Sequence, residues 1–251
     1  MNLEHRIGRR AKIGVVIPST NTAVEYDCQK ILPAGLTWHP ARFWVKYPDL
    51  TSDAAFLKFL DGIRETIPDA VRDLMTAEVS HFMMGMSAET FWGGIEGNDE
   101  FISRLREQMG RSIGLTTGAN AVVDALQRFG AKTVSVLTPY QPVGDKQVER
   151  FFGESGFTVK KLIGLRCASA TSIAATPRQA VMRRVLELDG DDVDAIVQVG
   201  TNLSSVDLFP ALETLLEKPC LPINVCTAWH ALRACDIHDR LDGLGRLLEE
   251  H

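Results

Sequence analysis

Short runs of β-branched and apolar residues alternate with longer amphipathic stretches along almost the whole chain. The first run extends from Lys12 to Ile17 and ends at Pro18. Strands that alternate with helices are typical of parallel sheets covered by helices on both faces. The sequence therefore predicts an α/β fold. Its strands are predicted at residues 12–17, 37–45, 79–84, 112–115, 133–138, 157–163, 193–199 and 220–225.

The alternating pattern occurs twice, which predicts two similar lobes. One lobe would comprise residues 1–110 together with 219–251, and the other residues 111–218. No linker rich in Pro, Gly or Ser separates them, so we expect a tight cleft between the lobes. Ligands of such sheets bind beyond the carboxyl ends of the strands. The residues that follow each strand are therefore the candidates for a functional site.

Composition and charge narrow the class of protein. The 251 residues carry 27 Lys and Arg against 32 Asp and Glu, a formal net charge of −5, with 45% hydrophobic and 24% charged residues. These values exclude a disordered polar chain and a basic nucleic-acid-binding protein. The apolar runs are far shorter than the ~20 residues that cross a bilayer, and no signal peptide is visible. We expect a cytoplasmic protein with no nucleic-acid or membrane partner.

The cysteines and histidines do not form a recognisable metal or disulfide pattern. Five cysteines are an odd number without a C-x-x-C pair, and the six histidines are scattered. We therefore expect neither a disulfide framework nor a bound metal. Both glycine-rich nucleotide fingerprints are also absent from the sequence.

Polar residues follow the predicted strands of the first lobe. Ser19, Thr20 and Asn21 come directly after the first strand, where they could bind an anion or cap the next helix. After the third strand, Gly85 and Ser87 allow close approach of a ligand, and Glu89 is the only carboxylate of the segment. Glu89 is either a proton donor or acceptor, or an acid in the first turn of a helix.

The second half repeats the arrangement with Thr117, Tyr140 and the Gly200-Thr201-Asn202 segment. Thr227 and His230 follow the last strand. Six such clusters exceed what capping requires, and all of them except Glu89 offer neutral donors. The pattern predicts a pocket for a small carboxylate. His230 either contacts that ligand or is an ordinary histidine of the last helix, and Phe91, Trp92 and Trp229 either line an apolar subsite or belong to the core.

Four segments resemble a known family. They are Ile17-Pro18-Ser19-Thr20-Asn21-Thr22, Met84-Gly85-Met86-Ser87, Thr138-Pro139-Tyr140 and Thr227-Ala228-Trp229. Together they resemble the maleate cis–trans isomerase and arylmalonate decarboxylase branch of the aspartate/glutamate racemase superfamily, over about residues 7 to 237. The resemblance implies two flavodoxin-like lobes with the active site between them, and cofactor-independent chemistry at a carbon next to a carboxylate. A homo-oligomer is also an expectation from the family.

The resemblance assigns roles to individual positions. Asn21 matches an asparagine that binds a substrate carboxylate, Tyr140 a tyrosine donor, Ser87 and Thr117 pocket hydroxyls, and Thr201 a backbone donor. The predicted catalytic residues are Glu89, Tyr140 and His230. The predicted substrate-binding residues are Ser19, Asn21, Gly85, Ser87, Thr117, Gly200, Thr201, Asn202 and Thr227.

One departure from the family pattern decides which functions stay open. By spacing, the two cysteines of the family fall at Gly85 and Gly200, so neither thiol is present. A decarboxylase-like lyase that holds an enediolate with neutral donors is favoured, because loss of carbon dioxide needs charge stabilisation more than a nucleophile. An isomerase or racemase that uses Cys226 instead is an alternative. A carboxylate-binding protein without catalysis is another.

Overall fold

A computed structural model describes residues 7–110 and 112–251. Its strands are β1 (Ala11–Pro18), β2 (Leu36–Phe43), β3 (His81–Met84), β4 (Gly114–Thr116), β5 (Thr133–Thr138), β6 (Thr158–Gly164), β7 (Ala195–Gln198) and β8 (Cys220–Pro222). Its α-helices are α1 (Val24–Lys30), α2 (Asp53–Arg64), α3 (Ile67–Met75), α4 (Gly94–Met109), α5 (Gly118–Arg128), α6 (Pro142–Glu154), α7 (Arg178–Leu188), α8 (Phe209–Leu216), α9 (Ile223–Ala234) and α10 (Arg246–Glu250). Within these two ranges, no helix is both long and apolar enough to span a membrane.

The strands form two four-stranded parallel sheets, which confirms the predicted α/β class. The first sheet has the order β2-β1-β3-β4 and the second the order β6-β5-β7-β8. In each sheet the strand order reverses between the two central strands, and the crevice at such a point is where ligands bind. Strand β1 reads as an almost continuous apolar run because helices cover both faces: Ile13, Val16 and Ile17 are fully buried.

Two predicted elements differ from the structure in instructive ways. The strand predicted over 220–225 ends at Pro222, and α9 begins at Ile223. Residues Ile223 to Val225 are buried in α9, and a short apolar run looks the same in a buried helix as in a buried strand. The long amphipathic stretch divides into α2 and α3, with Pro68 in the first turn of α3, which is a favourable position for proline.

Strand pairing does not follow the predicted lobe boundaries. Strand β4 pairs with β3, so the first sheet extends beyond the boundary at 110/111. Strand β8 pairs with β7, so the second sheet extends beyond the boundary at 218/219. Helix α9, which follows β8, nevertheless packs against α5 and against β3 and β4 of the first sheet. The final segment of the chain thus returns to the first sheet only after it has completed the second.

An aromatic cluster joins the connection after β3 to helix α6. Phe91 lies in a short 3₁₀ helix (Glu89–Phe91), and its ring centroid is 5.1 Å from that of Phe151 and 5.7 Å from that of Phe152. Phe91 and Phe152 are fully buried. Aromatic pairs at these distances contribute ~0.5–1.5 kcal/mol beyond the burial of their area. The cluster therefore stabilises the contact between the two halves of the chain.

We expect Phe91→Ala to lower the free energy of unfolding by about 3–5 kcal/mol, because it leaves a cavity among buried rings. Urea denaturation followed by circular dichroism measures this difference. Leu215→Ala is the matched control, since Leu215 is 63% exposed on α8 and its truncation should change the same quantity by less than about 0.5 kcal/mol. Equal effects of the two substitutions would contradict the proposed role of the cluster.

Candidate active site

Four polar residues from the central strands of both sheets meet between the two lobes. Asn21 follows β1, Ser87 follows β3, Tyr140 follows β5 and Thr201 follows β7. All four are buried. Because these strands are parallel and central, their carboxyl ends face the same crevice. The fold therefore brings together residues that are up to 180 positions apart in the sequence.

Hydrogen bonds connect these four residues across the cleft. The hydroxyls of Ser87 and Tyr140 are 2.7 Å apart, and the Thr201 amide N–H donates to Ser87 Oγ at 3.3 Å. The Asn21 Nδ2 group donates to Thr201 Oγ1, also at 3.3 Å. Each of these bonds joins a residue of the first sheet to one of the second. The network holds its donors in place without a charged group.

The segment after β1 caps the next helix and donates a hydrogen bond across the cleft. Asn21 Oδ1 accepts hydrogen bonds from the backbone N–H groups of Ala23 and Val24, at 2.9 and 3.0 Å, and so caps α1. Asn202 Oδ1 accepts from the Thr22 N–H at 2.9 Å. These bonds orient the Asn21 carboxamide so that its NH₂ group is directed towards Thr201.

These residues enclose a cavity of about 40 Å³. One side is polar and the other apolar, and no charged side chain is among the described residues that line it. The lining residues are Pro18, Thr20, Asn21, Leu50, Phe56, Phe59, Met86, Ser87, Ala88, Pro139, Tyr140, Ala170, Ile173, Gly200, Thr201 and Asn202. The volume is well below the ~300–1,000 Å³ of typical ligand pockets. In this structure the cavity therefore has room for little more than a few water molecules.

Two backbone segments close the cavity from opposite lobes. The Leu50 N–H donates to the Ala168 carbonyl at 2.9 Å, and the Ala170 N–H donates to the Pro48 carbonyl at 2.8 Å. The Gln141 side chain adds a hydrogen bond from Nε2 to the Leu50 carbonyl at 2.6 Å. Through these bonds, segments 48–50 and 168–170 hold Leu50 and Ala170 against the cavity.

Burial keeps the Tyr140 phenol in its neutral, donating form. Desolvation raises the pKa of Tyr140 well above its usual value, and the hydrogen bond with Ser87 opposes this effect only in part. At neutral pH the hydroxyl is therefore protonated and can donate a hydrogen bond or a proton. Among the hydroxyl groups that line the cavity, a phenol is intrinsically the most acidic.

Several residues predicted to bind substrate have other partners. Ser19 Oγ accepts a hydrogen bond from the Val45 N–H at 3.0 Å, Thr117 caps α5, and the Thr227 hydroxyl donates to the Ile223 carbonyl at 2.6 Å. None of the three lines the cavity. Of the predicted substrate-binding residues, those that do line it are Asn21, Ser87, Gly200, Thr201 and Asn202.

Glu89 lies outside the cavity, so its position does not support the predicted role as an acid or base. Its carboxylate accepts a hydrogen bond from Arg64 Nε at 2.7 Å, and Arg104 Nη2 lies 3.4 Å from the same oxygen. Burial raises the pKa of Glu89, although Arg64 and Arg104 oppose this effect. The carboxylate is thus held by two guanidinium groups beneath the 3₁₀ helix.

His230 also lies away from the cavity, on α9. Its Nε2 atom is 3.1 Å from Asp124 Oδ2, and its Nδ1 atom is 2.8 Å from Thr116 Oγ1. His81 Nε2 contacts the same hydroxyl at 2.8 Å. This row of hydrogen-bonded side chains resembles a catalytic triad, but it lies outside the cavity, and Thr116 is fully buried. Burial lowers the pKa of His230, so the imidazole is neutral at neutral pH.

No cysteine among the described residues lines the cavity. Cys226 is fully buried within α9, and burial raises the pKa of its thiol far above the ordinary value. A thiol in that environment is not a nucleophile at neutral pH. Within the same described part of the chain, no group of three or more His, Cys, Asp or Glu side chains is arranged to bind a metal.

The apolar wall was not marked in the sequence as part of a site. It consists of Leu50, Phe56, Phe59, Ala170 and Ile173. Phe56 and Phe59 lie on the buried face of α2, where a sequence pattern indicates only core. By contrast, Phe91 and Trp229, considered for an apolar subsite, are buried elsewhere, and Trp92 stacks on Phe56 at 6.1 Å.

Both positions at which the resemblance places the family cysteines are packed too tightly for a side chain. A Cβ atom on Gly85 would lie 2.3 Å from Ile17 Cγ2 and 3.0 Å from the Val16 carbonyl oxygen. A Cβ atom on Gly200 would lie 2.5 Å from Pro139 Cδ, and the φ angle of Gly200 is +116°, which disfavours any other residue. The surrounding chain is adapted to glycine at both positions.

We expect Gly85→Cys to lower the free energy of unfolding by about 1–3 kcal/mol, because the new side chain overpacks the space beside Ile17. Thermal denaturation under reducing conditions measures the change. Gly153→Cys on α6 is the matched control, since nothing lies within 4 Å of its added Cβ, and its stability should be unchanged or slightly raised. A Gly85→Cys protein as stable as this control would contradict the packing argument.

Comparison with known proteins places the chain in a family. Residues 13–248 match the sequence profile of arylmalonate decarboxylase. The maleate isomerase of Nocardia farcinica is 27% identical over 245 residues, which cover 95% of this chain and 96% of that protein. The Alcaligenes faecalis maleate isomerase is 24% identical over 94% of this chain and 96% of its own length.

Solved structures show the same fold. The Nocardia farcinica maleate cis–trans isomerase with a covalently bound succinylcysteine intermediate superposes with a TM-score of 0.86 at 24% identity, over 96% of this chain and 99% of that one. A variant of arylmalonate decarboxylase in its liganded form superposes with a TM-score of 0.83 at 19% identity, over 96% of this chain and 100% of that one. The chain belongs to the arylmalonate decarboxylase family and is an enzyme of that family.

Proposed function

We propose that this enzyme removes carbon dioxide from a small malonate-type dicarboxylate, without a cofactor and without a thiol. The observation that carries the proposal is the network of neutral donors between the sheets, which consists of Asn21, Ser87, Tyr140 and Thr201. No cysteine of the described residues lines the cavity that contains this network. Chemistry at a carbon next to a carboxylate needs such donors, because negative charge moves onto the carboxylate oxygens in the transition state.

In the proposed reaction, the polar half and the apolar half of the cavity have different roles. The carboxylate that stays would bind the polar half, through Asn21 Nδ2 and the hydroxyls of Ser87 and Tyr140. The carboxylate that leaves would face Leu50, Phe56 and Ile173. As the carbon–carbon bond breaks, its electron pair passes to the α-carbon and into the remaining carboxylate, which gives an enediolate. Carbon dioxide is uncharged, so apolar surroundings favour it over the charged carboxylate from which it forms.

A proton must then be added to the α-carbon. Glu89 and His230 lie outside the cavity, so they are not positioned for this step. The Tyr140 phenol is protonated at neutral pH, is hydrogen-bonded to Ser87 and is the most acidic hydroxyl available. We assign the proton donation to Tyr140, which would recover its proton from water.

Among the described residues, no cysteine lines the cavity, and this favours decarboxylation over isomerisation. Thiolate addition to a double bond needs an ionisable cysteine at the substrate, and Cys226 is buried in α9 with a raised thiol pKa. Although the maleate isomerases are relatives in sequence, the cavity of this chain offers hydroxyl and amide groups instead. A cytoplasmic location and a homo-oligomeric state stay predictions.

The first test is thermal stabilisation with malonate, methylmalonate, phenylmalonate and maleate, followed by proton NMR of each binding compound in deuterated buffer. A ligand at 100 times its Kd should add about 2.7 kcal/mol to the free energy of unfolding. We expect a malonate to lose carbon dioxide and to gain deuterium at the α-carbon. Conversion of maleate to fumarate would contradict the proposal in favour of an isomerase, and binding without conversion would favour a carboxylate-binding protein.

For the malonate that is converted, we expect Tyr140→Phe to lower kcat by roughly 10²–10³-fold, because it removes a donor to the enediolate and the proposed proton source. Steady-state release of carbon dioxide measures the rate. Tyr47→Phe is the matched control, since Tyr47 is 42% exposed and lies outside the cavity, and its rate should equal that of the wild type. A Tyr140→Phe enzyme with wild-type kcat would exclude the assigned role.

A further inference from the structure

A buried carboxylate next to the site has no cationic partner. Asp27 lies on the inner face of α1 and is 1% exposed. Ser204 Oγ donates to its Oδ1 atom at 2.7 Å, and Asn224 Nδ2 donates to its Oδ2 atom at 2.7 Å. Among the described residues, no Lys, Arg or His forms an ion pair with it. Both of its hydrogen-bond partners are neutral.

A buried carboxylate without a cationic partner usually destabilises a fold. Moving a carboxylate from water into a protein interior is unfavourable, and neutral donors compensate only in part. Burial accordingly raises the pKa of Asp27 to about 6, although the bonds from Asn224 and Ser204 oppose the change. Its neighbours on the buried face of α1, Val24 and Cys28, are apolar, as packing alone would require.

The partners of Asp27 lead directly to the active site. The same Asn224 Nδ2 atom that donates to Asp27 also donates to the Thr201 carbonyl oxygen, at 2.9 Å. Ser204 lies three residues after Thr201, in the loop that follows β7. Asp27 therefore contacts the 200–205 loop at two points, once through Ser204 and once through Asn224 at the start of α9.

We propose that Asp27 is a positioning residue: through Ser204 and Asn224, its carboxylate holds the 200–205 loop so that Thr201 meets Asn21 and Ser87 across the cleft. Its effect on rate rests on the proposed function. Its effect on the loop does not, and the two can be measured separately.

Protonation of Asp27 should loosen this arrangement. A neutral carboxyl group carries a donor of its own, so it is a weaker acceptor for Ser204 and Asn224. The charged groups near it are Asp207 on the loop before α8, and Glu25 and Lys30 on α1. Lys30 Nζ lies 3.6 Å from Asp207 Oδ1. The other titratable or charged groups on α1 and on α9, which packs against it, are Tyr26, Cys28, Cys226, His230 and Arg233.

The test that does not depend on activity is hydrogen–deuterium exchange of the full chain, read by mass spectrometry. In Asp27→Asn, peptides that cover residues 200–208 should exchange about tenfold faster than in the wild type, whereas peptides from β1 and β5 should not change. Asp99→Asn is the matched control, because it removes the same charge from an exposed position on α4. Unchanged protection of the 200–208 peptides would overturn the proposal.

The kinetic test uses the pH profile of kcat/KM for the malonate that is converted. In the wild type the rate should fall as pH decreases through about 6, where Asp27 takes up a proton. Asp27→Asn should lower kcat/KM about tenfold or more at neutral pH and should lack this acidic limb. A variant that loses rate equally at every pH and keeps the limb would show that Asp27 serves stability alone.

Ser204→Ala provides a second variant in case Asp27→Asn does not fold. It keeps the carboxylate and the Asn224 bond to Thr201, but it removes the donor to Asp27 Oδ1. The acidic limb should then move to higher pH, because the charged form of Asp27 has lost a stabilising bond.

The two tests separate the positioning role from the proposed function. If the wild type converts no malonate, faster exchange at 200–208 in the variants would support the positioning role and contradict the proposed function. Faster exchange at 200–208 with full kcat/KM on a malonate would contradict the positioning role instead.

Discussion

The hydrogen bond between Ser87 and Tyr140 joins the first sheet to the second at the centre of the cleft. Thr201 and Asn21 extend it into a network that contains hydroxyl, amide and backbone groups, with no charged member. Neutral donors of this kind stabilise an anion only if they are already oriented towards it. The two sheets supply that orientation, because the carboxyl ends of β1, β3, β5 and β7 face one another.

Positions 85 and 200 are both glycine, so neither supplies a thiol. Ile17 and Pro139 occupy the space that a side chain at either position would need. Glycine at position 200 does more than leave out a thiol, because the backbone itself lines the cavity there. In the proposed reaction, the apolar wall of Phe56, Phe59 and Ile173 opposite the donors would favour the loss of an uncharged product.

Two of the buried carboxylates near the cleft, Glu89 and Asp27, have different kinds of partner. Glu89 is held by Arg64 and Arg104, an arrangement in which opposite charges offset much of the penalty of burial. Among the described residues, Asp27 has hydrogen bonds only from Ser204 and Asn224, and its pKa is raised to about 6. The ion pairs of Glu89 stabilise the 3₁₀ helix. Asp27 connects α1 to the loop that carries Thr201, so its protonation state should affect the site.

The pattern of the sequence was sufficient for the fold class, for the order of the strands along the chain and for the loops that carry Asn21, Ser87, Tyr140 and Thr201. These features depend on local periodicity and on the rule that parallel sheets bind ligands at their carboxyl ends. Only the tertiary structure decided which way each side chain points. It directs Glu89 towards Arg64 and His230 towards Asp124, and it brings Phe56 and Ile173 to the cavity. Those contacts join residues far apart in the chain, and no local pattern encodes the direction of a side chain in a loop or the neighbour that it meets.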